Sequence, residues 1–286
     1  MAYELTDPKT VSALLARHGL ALQKARGQNF LINPTVCPRM ARACGAGKAD
    51  AVLEIGPGVG VLTRQVAAVA GQVLAVEVDH GLIPLLAETV GNLPNVQVVE
   101  GDILKLDLAD LWRRFANKRV FVCANLPYYI TTPILMALLE SGLPIAGMTV
   151  MVQKEFAARL CAPVGSRQSG ALTVAAAYHA HCEAVFSVAR GSFLPAPKVD
   201  STVIRLTPHA APPVAVTDEA FFFKTVKAAF GQRRKTLPNA LSAGLGVEKS
   251  AVVNALAAQN LPAAARAEQL TLPQLAALAN ALRADV

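Results

Sequence analysis

Leu53-Glu54-Ile55-Gly56-Pro57-Gly58-Val59-Gly60 ends an apolar run from Ala51 in a glycine-rich turn, and Val61 to Ala70 after it has the make-up of a helix. Glycines permit tight turning and let a ligand approach the backbone. A dinucleotide fingerprint needs G-x-G-x-x-G, but after Gly56 and Gly58 the third glycine comes one place early, at Gly60, and Val61 takes its position. Pro57 also removes an amide donor that a pyrophosphate would use. The turn therefore favours an adenosine-bearing ligand other than NAD.

Working outward, short β-branched runs recur at Gln72 to Val78, Val96 to Val99, Val120 to Ala124 and Met148 to Val152. Helix-length segments separate them, at Val61 to Ala70, Gly81 to Val90 and Thr132 to Glu140. Strands alternating with helices predict an α/β fold with a mostly parallel sheet covered on both faces. The second strand finishes at Glu77, where a carboxylate can accept from both ribose hydroxyls of a nucleoside. The third finishes at Gly101-Asp102, whose carboxylate can accept from an adenine amino group. In such a sheet these ends share one crevice with the glycine turn.

Charge sharpens the reading. The 286 residues carry a net +7, yet residues 51–110 hold only Arg64 and Lys105 against eight acids, a net −6. The remainder carries +13. An acidic island in a basic protein predicts two sites with opposite demands, one for a small cation and one for a phosphate backbone. S-adenosylmethionine, whose sulfonium makes it cationic, suits the island.

Before the sheet, Asp7-Pro8 and Asn33-Pro34 each open a helix, the first running to Gly19. After it, Ala171 to His179 predicts a helix, and His181 to Val188 with Ser201 to Leu206 predict antiparallel strands closing the sheet. Ala210-Ala211-Pro212-Pro213 marks a boundary, because consecutive prolines interrupt both kinds of ladder. Beyond it Phe221, Val226, Phe230, Leu237 and Leu241 recur at roughly helical spacing. The expectation is a catalytic domain over 1–210, with an N-terminal helical segment, and a small all-helical domain over 217–286.

Apolar stretches are interrupted before the ~18 residues a membrane helix requires. Met1 to Asp7 lacks a secretory signal's basic start and apolar core, so a cytoplasmic protein is expected. The five cysteines contain no C-x-x-C pair, and the histidines form no ligand spacing; no metal is expected.

The fourth strand leads into Asn125-Leu126-Pro127-Tyr128. Together with Gln28-Asn29-Phe30-Leu31, Phe193-Leu194-Pro195-Ala196-Pro197-Lys198-Val199 and Phe230-Gly231-Gln232-Arg233-Arg234-Lys235, it closely resembles the ribosomal RNA adenine dimethyltransferases. The resemblance runs from about Gly27 to Leu241 and is greatest to the bacterial small-subunit type. It implies a Rossmann-like methyltransferase fold and S-adenosylmethionine as cofactor. The implied activity is dimethylation of two adjacent adenosines near the 3′ end of 16S rRNA, within the small (30S) ribosomal subunit. A related large-subunit methylase of the macrolide-resistance type and a non-catalytic ribosome-assembly factor are the alternatives. No assembly signal compels a dimer, so a monomer is expected.

By the same resemblance Asn29 and Leu31 contact the cofactor, Gly56 of the turn it shares with Gly58 lies under the methionine part, Glu77 holds the ribose, and Asp102 reads the adenine. Asn125 borders cofactor and substrate. An adenine amine is a poor nucleophile because its lone pair is delocalised into the ring. The Asn125 side-chain oxygen and the Leu126 carbonyl can accept its two N–H bonds and direct the lone pair at the methyl. Tyr128 and Phe193 are expected to stack on the extruded base, with Phe193 in a loop that Pro195 and Pro197 stiffen. Arg233, Arg234 and Lys235 are expected to contact RNA phosphates.

Overall fold

The computed structural model describes residues 3–21, 28–232 and 234–284. Helix α1 (Pro8–Arg17) starts where Asp7 caps the backbone N–H groups of Lys9 and Thr10, at 3.3 and 2.9 Å. It is followed by β1 (Phe30–Leu31) and α2 (Val36–Cys44), before which the Asn33 side chain accepts from Thr35 N at 3.0 Å. The sheet region comprises β2 (Ala51–Ile55), α3 (Val61–Val69), β3 (Gln72–Glu77), α4 (Leu82–Val90), β4 (Val96–Glu100), α5 (Leu108–Arg113), β5 (Val120–Asn125), α6 (Thr131–Leu139) and β6 (Ile145–Gln153). Then come α7 (Lys154–Leu160), α8 (Ala171–His179), β7 (Ala180–Val188), β8 (Phe193–Leu194) and β9 (Ser201–Pro208). Four helices follow: α9 (Glu219–Gly231), α10 (Leu237–Leu245), α11 (Lys249–Ala257) and α12 (Leu272–Ala284).

Seven strands form one sheet in the order β4-β3-β2-β5-β6-β9-β7. The pairs β2/β3, β3/β4, β2/β5 and β5/β6 are parallel, and β6/β9 is antiparallel. Every residue of β2 is buried, as is β3 beyond Gln72, which fits strands covered on both faces. From β2 the chain winds outward through β3 and β4, then returns to the other side of β2 with β5. This reversal opens a crevice at the carboxyl ends of β2 and β5, the usual ligand position in such sheets.

A two-stranded piece, β1 antiparallel to β8, pairs Phe30 with Leu194 and Leu31 with Phe193. Two-residue strands whose partners lie 162 and 164 positions apart carry no periodic signal, so neither is legible in the sequence.

The chain forms two compact units, Met1–Ala157 with Glu183–Pro208, and Ala158–Cys182 with His209–Val286. The first holds the sheet, with Val11, Met40, Val52, Val66, Val73 and Leu85 fully buried in its core. The second is built around Phe222, Leu241, Val252, Leu256, Leu278 and Leu282. Residues 158–182 precede the proline-rich boundary in sequence but belong to this helical unit, because Val174 and Tyr178 of α8 join its core. The Tyr178 ring lies 5.4 Å from that of Phe222. The run from Phe221 to Leu241 forms two helices rather than one. Pro238 sits in the first turn of α10, a place where proline starts a helix instead of continuing one.

Candidate active site

The turn after β2 is a connected piece of hydrogen bonding. Gly56 N donates to Val76 O at 2.9 Å, Gly58 N to Glu77 Oε2 at 3.2 Å, and Asp79 N to Glu77 Oε1 at 2.9 Å. Gly58 has φ +61°, and a Cβ there would stand 3.3 Å from the Phe30 ring. At Gly60, with φ +90°, a Cβ would meet Val90 Cγ1 at 2.6 Å, so only glycine brings α3 this close to α4.

Beside this turn lies a cavity of about 440 Å³ lined by Asn29, Leu31, Gly56, Gly58, Glu77, Asn125, Leu126 and Tyr128, among others. A smaller hollow of about 60 Å³ is lined by Gly101, Asp102 and Ile103 and shares Gly56, Glu77, Val78, Pro127 and Tyr129 with the first. Every candidate cofactor residue thus lines one or other of two adjoining hollows. Asp102 Oδ1 accepts from Leu104 N at 3.0 Å, and Lys105 Nζ lies 3.6 Å from Oδ2.

Glu77 is 5% exposed. Burial raises its pKa, partly offset by the N–H bonds from Asp79 and Gly58. Each oxygen spends one acceptor site on the backbone, which leaves both able to take a ligand hydroxyl. Glu54, in β2, also lines the larger cavity and is 1% exposed. Among the described residues neither of its oxygens has a hydrogen-bond partner, and burial pushes its carboxyl up to about 8.

Asn125 ends β5, and its Nδ2 donates to Asn29 O at 3.4 Å, leaving Oδ1 as its acceptor. Leu126 N donates to Met151 O at 3.2 Å, holding the peptide that follows. Tyr128 is half-buried, and its hydroxyl is 2.6 Å from Ser201 Oγ at the start of β9. Burial raises the Tyr128 pKa, opposed by that hydrogen bond. Asn125, Leu126 and Tyr128 all line the larger cavity.

Phe193 is placed differently from the free loop position its neighbouring prolines suggest. It is 3% exposed and part of the first unit's core, outside the lining of the cavity, because its backbone pairs with Leu31. Arg234 and Lys235 are exposed in the turn between α9 and α10, in the helical unit. Arg233 lies outside the described residues. Among the described residues no three His, Cys, Asp or Glu side chains are grouped to hold a metal, and no helix is long and apolar enough to cross a membrane.

The family model "Ribosomal RNA adenine dimethylase" matches residues 19–282. This chain belongs to the ribosomal RNA adenine dimethylase family. It is 44% identical over 280 residues to the Ribosomal RNA small subunit methyltransferase A of Alkaliphilus oremlandii, covering 97% of this chain and 98% of that one. The protein of the same name from Geobacillus thermodenitrificans is 45% identical over 99% of this chain and 98% of its own. Among solved structures, a dimethyladenosine transferase from Plasmodium falciparum superposes with a TM-score of 0.70 at 26% identity, over 87% of this chain and 95% of that one. The 23S rRNA methyltransferase ErmE gives 0.68 at 28% identity, over 89% and 100%.

For a dimethylase the cavity's donor set fits the expected cofactor. Among the described residues, a buried carboxyl without a partner, a second acid with open acceptor sites and a lining without Lys, Arg or His suit a positively charged nucleoside. Glu54 enters the sequence analysis only as an acid of the glycine-turn segment and of the acidic island, and Tyr129 does not enter it. Glu54 had a signal: a lone acid as the fourth residue of an otherwise apolar buried strand. Tyr129, 66% exposed beside half-buried Tyr128, had none, since adjacent tyrosines do not reveal which one faces solvent.

Proposed function

We propose that this dimethylase transfers methyl groups from S-adenosylmethionine to the 6-amino groups of two adjacent adenosines near the 3′ end of 16S rRNA, in the small ribosomal subunit. It acts as a cytoplasmic monomer and contributes to ribosome biogenesis. The observation that carries this reading is one cavity lined both by Glu77 and by Asn125, Leu126 and Tyr128. It joins a nucleoside-holding acid to acceptors for an amine.

The cofactor supplies an electrophilic methyl on a sulfonium. The protein's own residues supply position. Glu77 accepts from the ribose hydroxyls, Asp102 from the adenine amine, and Asn29, Leu31, Gly56 and Gly58 wall the remainder. At the other side Asn125 Oδ1 and the Leu126 carbonyl accept the two N–H bonds of the target amine, turning its lone pair out of conjugation. Tyr128, fixed by Ser201, presents its ring to the extruded base. The methylated amine carries a positive charge and loses its proton readily, so no dedicated base is needed. In the helical unit, Arg234 and Lys235 meet phosphates, with Arg233 beside them in sequence.

Incubation with labelled S-adenosylmethionine and unmethylated small subunits, large-subunit RNA or duplex DNA tests the reading. Label as dimethyladenosine in the small subunit alone is expected. Label in large-subunit RNA would favour the resistance-type activity, and cofactor binding without transfer would favour an assembly factor.

A further inference from the structure

The proposed mechanism makes no use of Glu54, a buried acid that lines the cavity. It projects from β2, is almost wholly buried, and has neither oxygen hydrogen-bonded among the described residues. Buried polar groups nearly always have a partner, and a buried ion without one costs several kcal/mol. Among the described residues, none supplies Glu54 with a compensating positive charge. From α3 the Thr63 hydroxyl favours the ion, an effect smaller than that of burial, which disfavours it. Glu77 on β3 opposes ionisation, with Asp79 just beyond it. The thiols of Cys37 on α2 and Cys123 on β5 are buried and raised, each with Glu54 among the causes. No Lys, Arg or His among the described residues acts on it.

We propose that Glu54 waits in the cavity as a neutral acid and gives up its proton when the cofactor's positive charge enters, making cofactor capture and proton release one event. This rests on the methyltransferase reading of the cavity. The O–H bond of the carboxyl breaks, its proton passes to solvent, and the carboxylate left behind pairs with the incoming cation. With its carboxyl near 8 when the cavity is empty, Glu54 is mostly protonated at pH 7. An adjacent cation restores the ionised form. The arrangement selects for charge: a neutral nucleoside gains nothing from Glu54, whereas a cationic one draws out its proton.

Titration calorimetry at pH 7, in two buffers of different ionisation enthalpy, counts the protons. Close to one should be released per S-adenosylmethionine bound, and none with the uncharged 5′-methylthioadenosine. Affinity for S-adenosylmethionine should rise about tenfold from pH 6 to 7. Glu54→Gln should bind without proton release and with nearly flat affinity over this range. Infrared difference spectra of the wild type should lose a protonated-carboxyl band on binding, a readout that survives if Glu54→Gln fails to fold. Stoichiometric binding with no proton released and no band lost would overturn the proposal, as would full release by Glu54→Gln. Absence of S-adenosylmethionine binding at every pH would instead sink the methyltransferase reading, and this proposal with it.

Discussion

Glu77 Oε2 accepts the N–H of Gly58 at 3.2 Å, so the acid that ends β3 also fixes the glycine turn after β2. Its other oxygen holds the start of the next loop through Asp79 N. Under the proposed mechanism, ribose recognition and the shape of the glycine turn are tied to one side chain. Glu77→Ala removes the acceptor for both backbone groups as well as for the ligand. Cofactor binding should weaken by about 1.5–3 kcal/mol, roughly 10- to 100-fold in Kd. Calorimetry giving the wild-type Kd would contradict the assignment.

Asn125→Ala should behave in the opposite way. Cofactor affinity should stay within a few-fold of wild type, while kcat falls by roughly 10²–10³, the loss typical of one oriented polar group in a reacting site. Undiminished single-turnover transfer would remove Asn125 from the mechanism.

The two aromatic residues differ in burial, and their variants should differ accordingly. Tyr128→Phe loses the Ser201 contact, costing about 1 kcal/mol of stability while keeping the ring and the RNA KM. Tyr128→Ala should raise that KM by about tenfold or more, since stacking contributes ~1–3 kcal/mol per base. Phe193→Ala leaves a hole in the core and should cost about 3–5 kcal/mol. Phe193→Leu keeps most of the packing, so slower transfer at an unchanged melting temperature would signal a stacking role. Wild-type kinetics in that variant would refute one.

Stability against pH tests the neutral state of Glu54 in the empty protein. Its carboxyl is raised in the folded chain, from an ordinary value of 4.5 to about 8, so the folded state binds more protons between those limits. The group's stabilisation is therefore complete below pH 4.5 and lost as pH rises towards 8, by up to about 1.4 kcal/mol per unit. Glu54→Gln mimics the neutral acid and does not titrate. The two proteins should melt alike at pH 4, and the variant should be the more stable at pH 8. A constant difference across this range would contradict a raised Glu54.

Arg234→Ala and Lys235→Ala should each weaken RNA binding across sequences and reduce the salt slope of log K by about 0.7–1. Neither should alter cofactor affinity. A variant whose RNA binding keeps the wild-type salt dependence would show that its residue meets no phosphate.

The central strands and the acids at their ends were legible because they depend on local pattern. Ala51 to Ile55 has the bounds of β2, and Glu77 ends β3 where expected. The antiparallel closure by Ser201 onward was legible for the same reason. Long-range pairing was not. The β1/β8 pair joins residues that no window contains, and it explains why Phe193, flanked downstream by prolines, is buried. The same holds for α8, whose own sequence does not disclose that Val174 and Tyr178 belong to the helical core. Glu54 needed three dimensions for another reason: an acid inside a strand signals function only once its lack of a partner is visible.

Mass mapping of 16S rRNA from unmethylated small subunits treated with the protein and S-adenosylmethionine tests the central claim most directly. The account predicts two methyl groups on each of two neighbouring adenosines in the 3′-terminal fragment, and an unmodified fragment with Asn125→Ala. Methylation elsewhere in the RNA, or an unchanged fragment with the wild-type protein and bound cofactor, would contradict it.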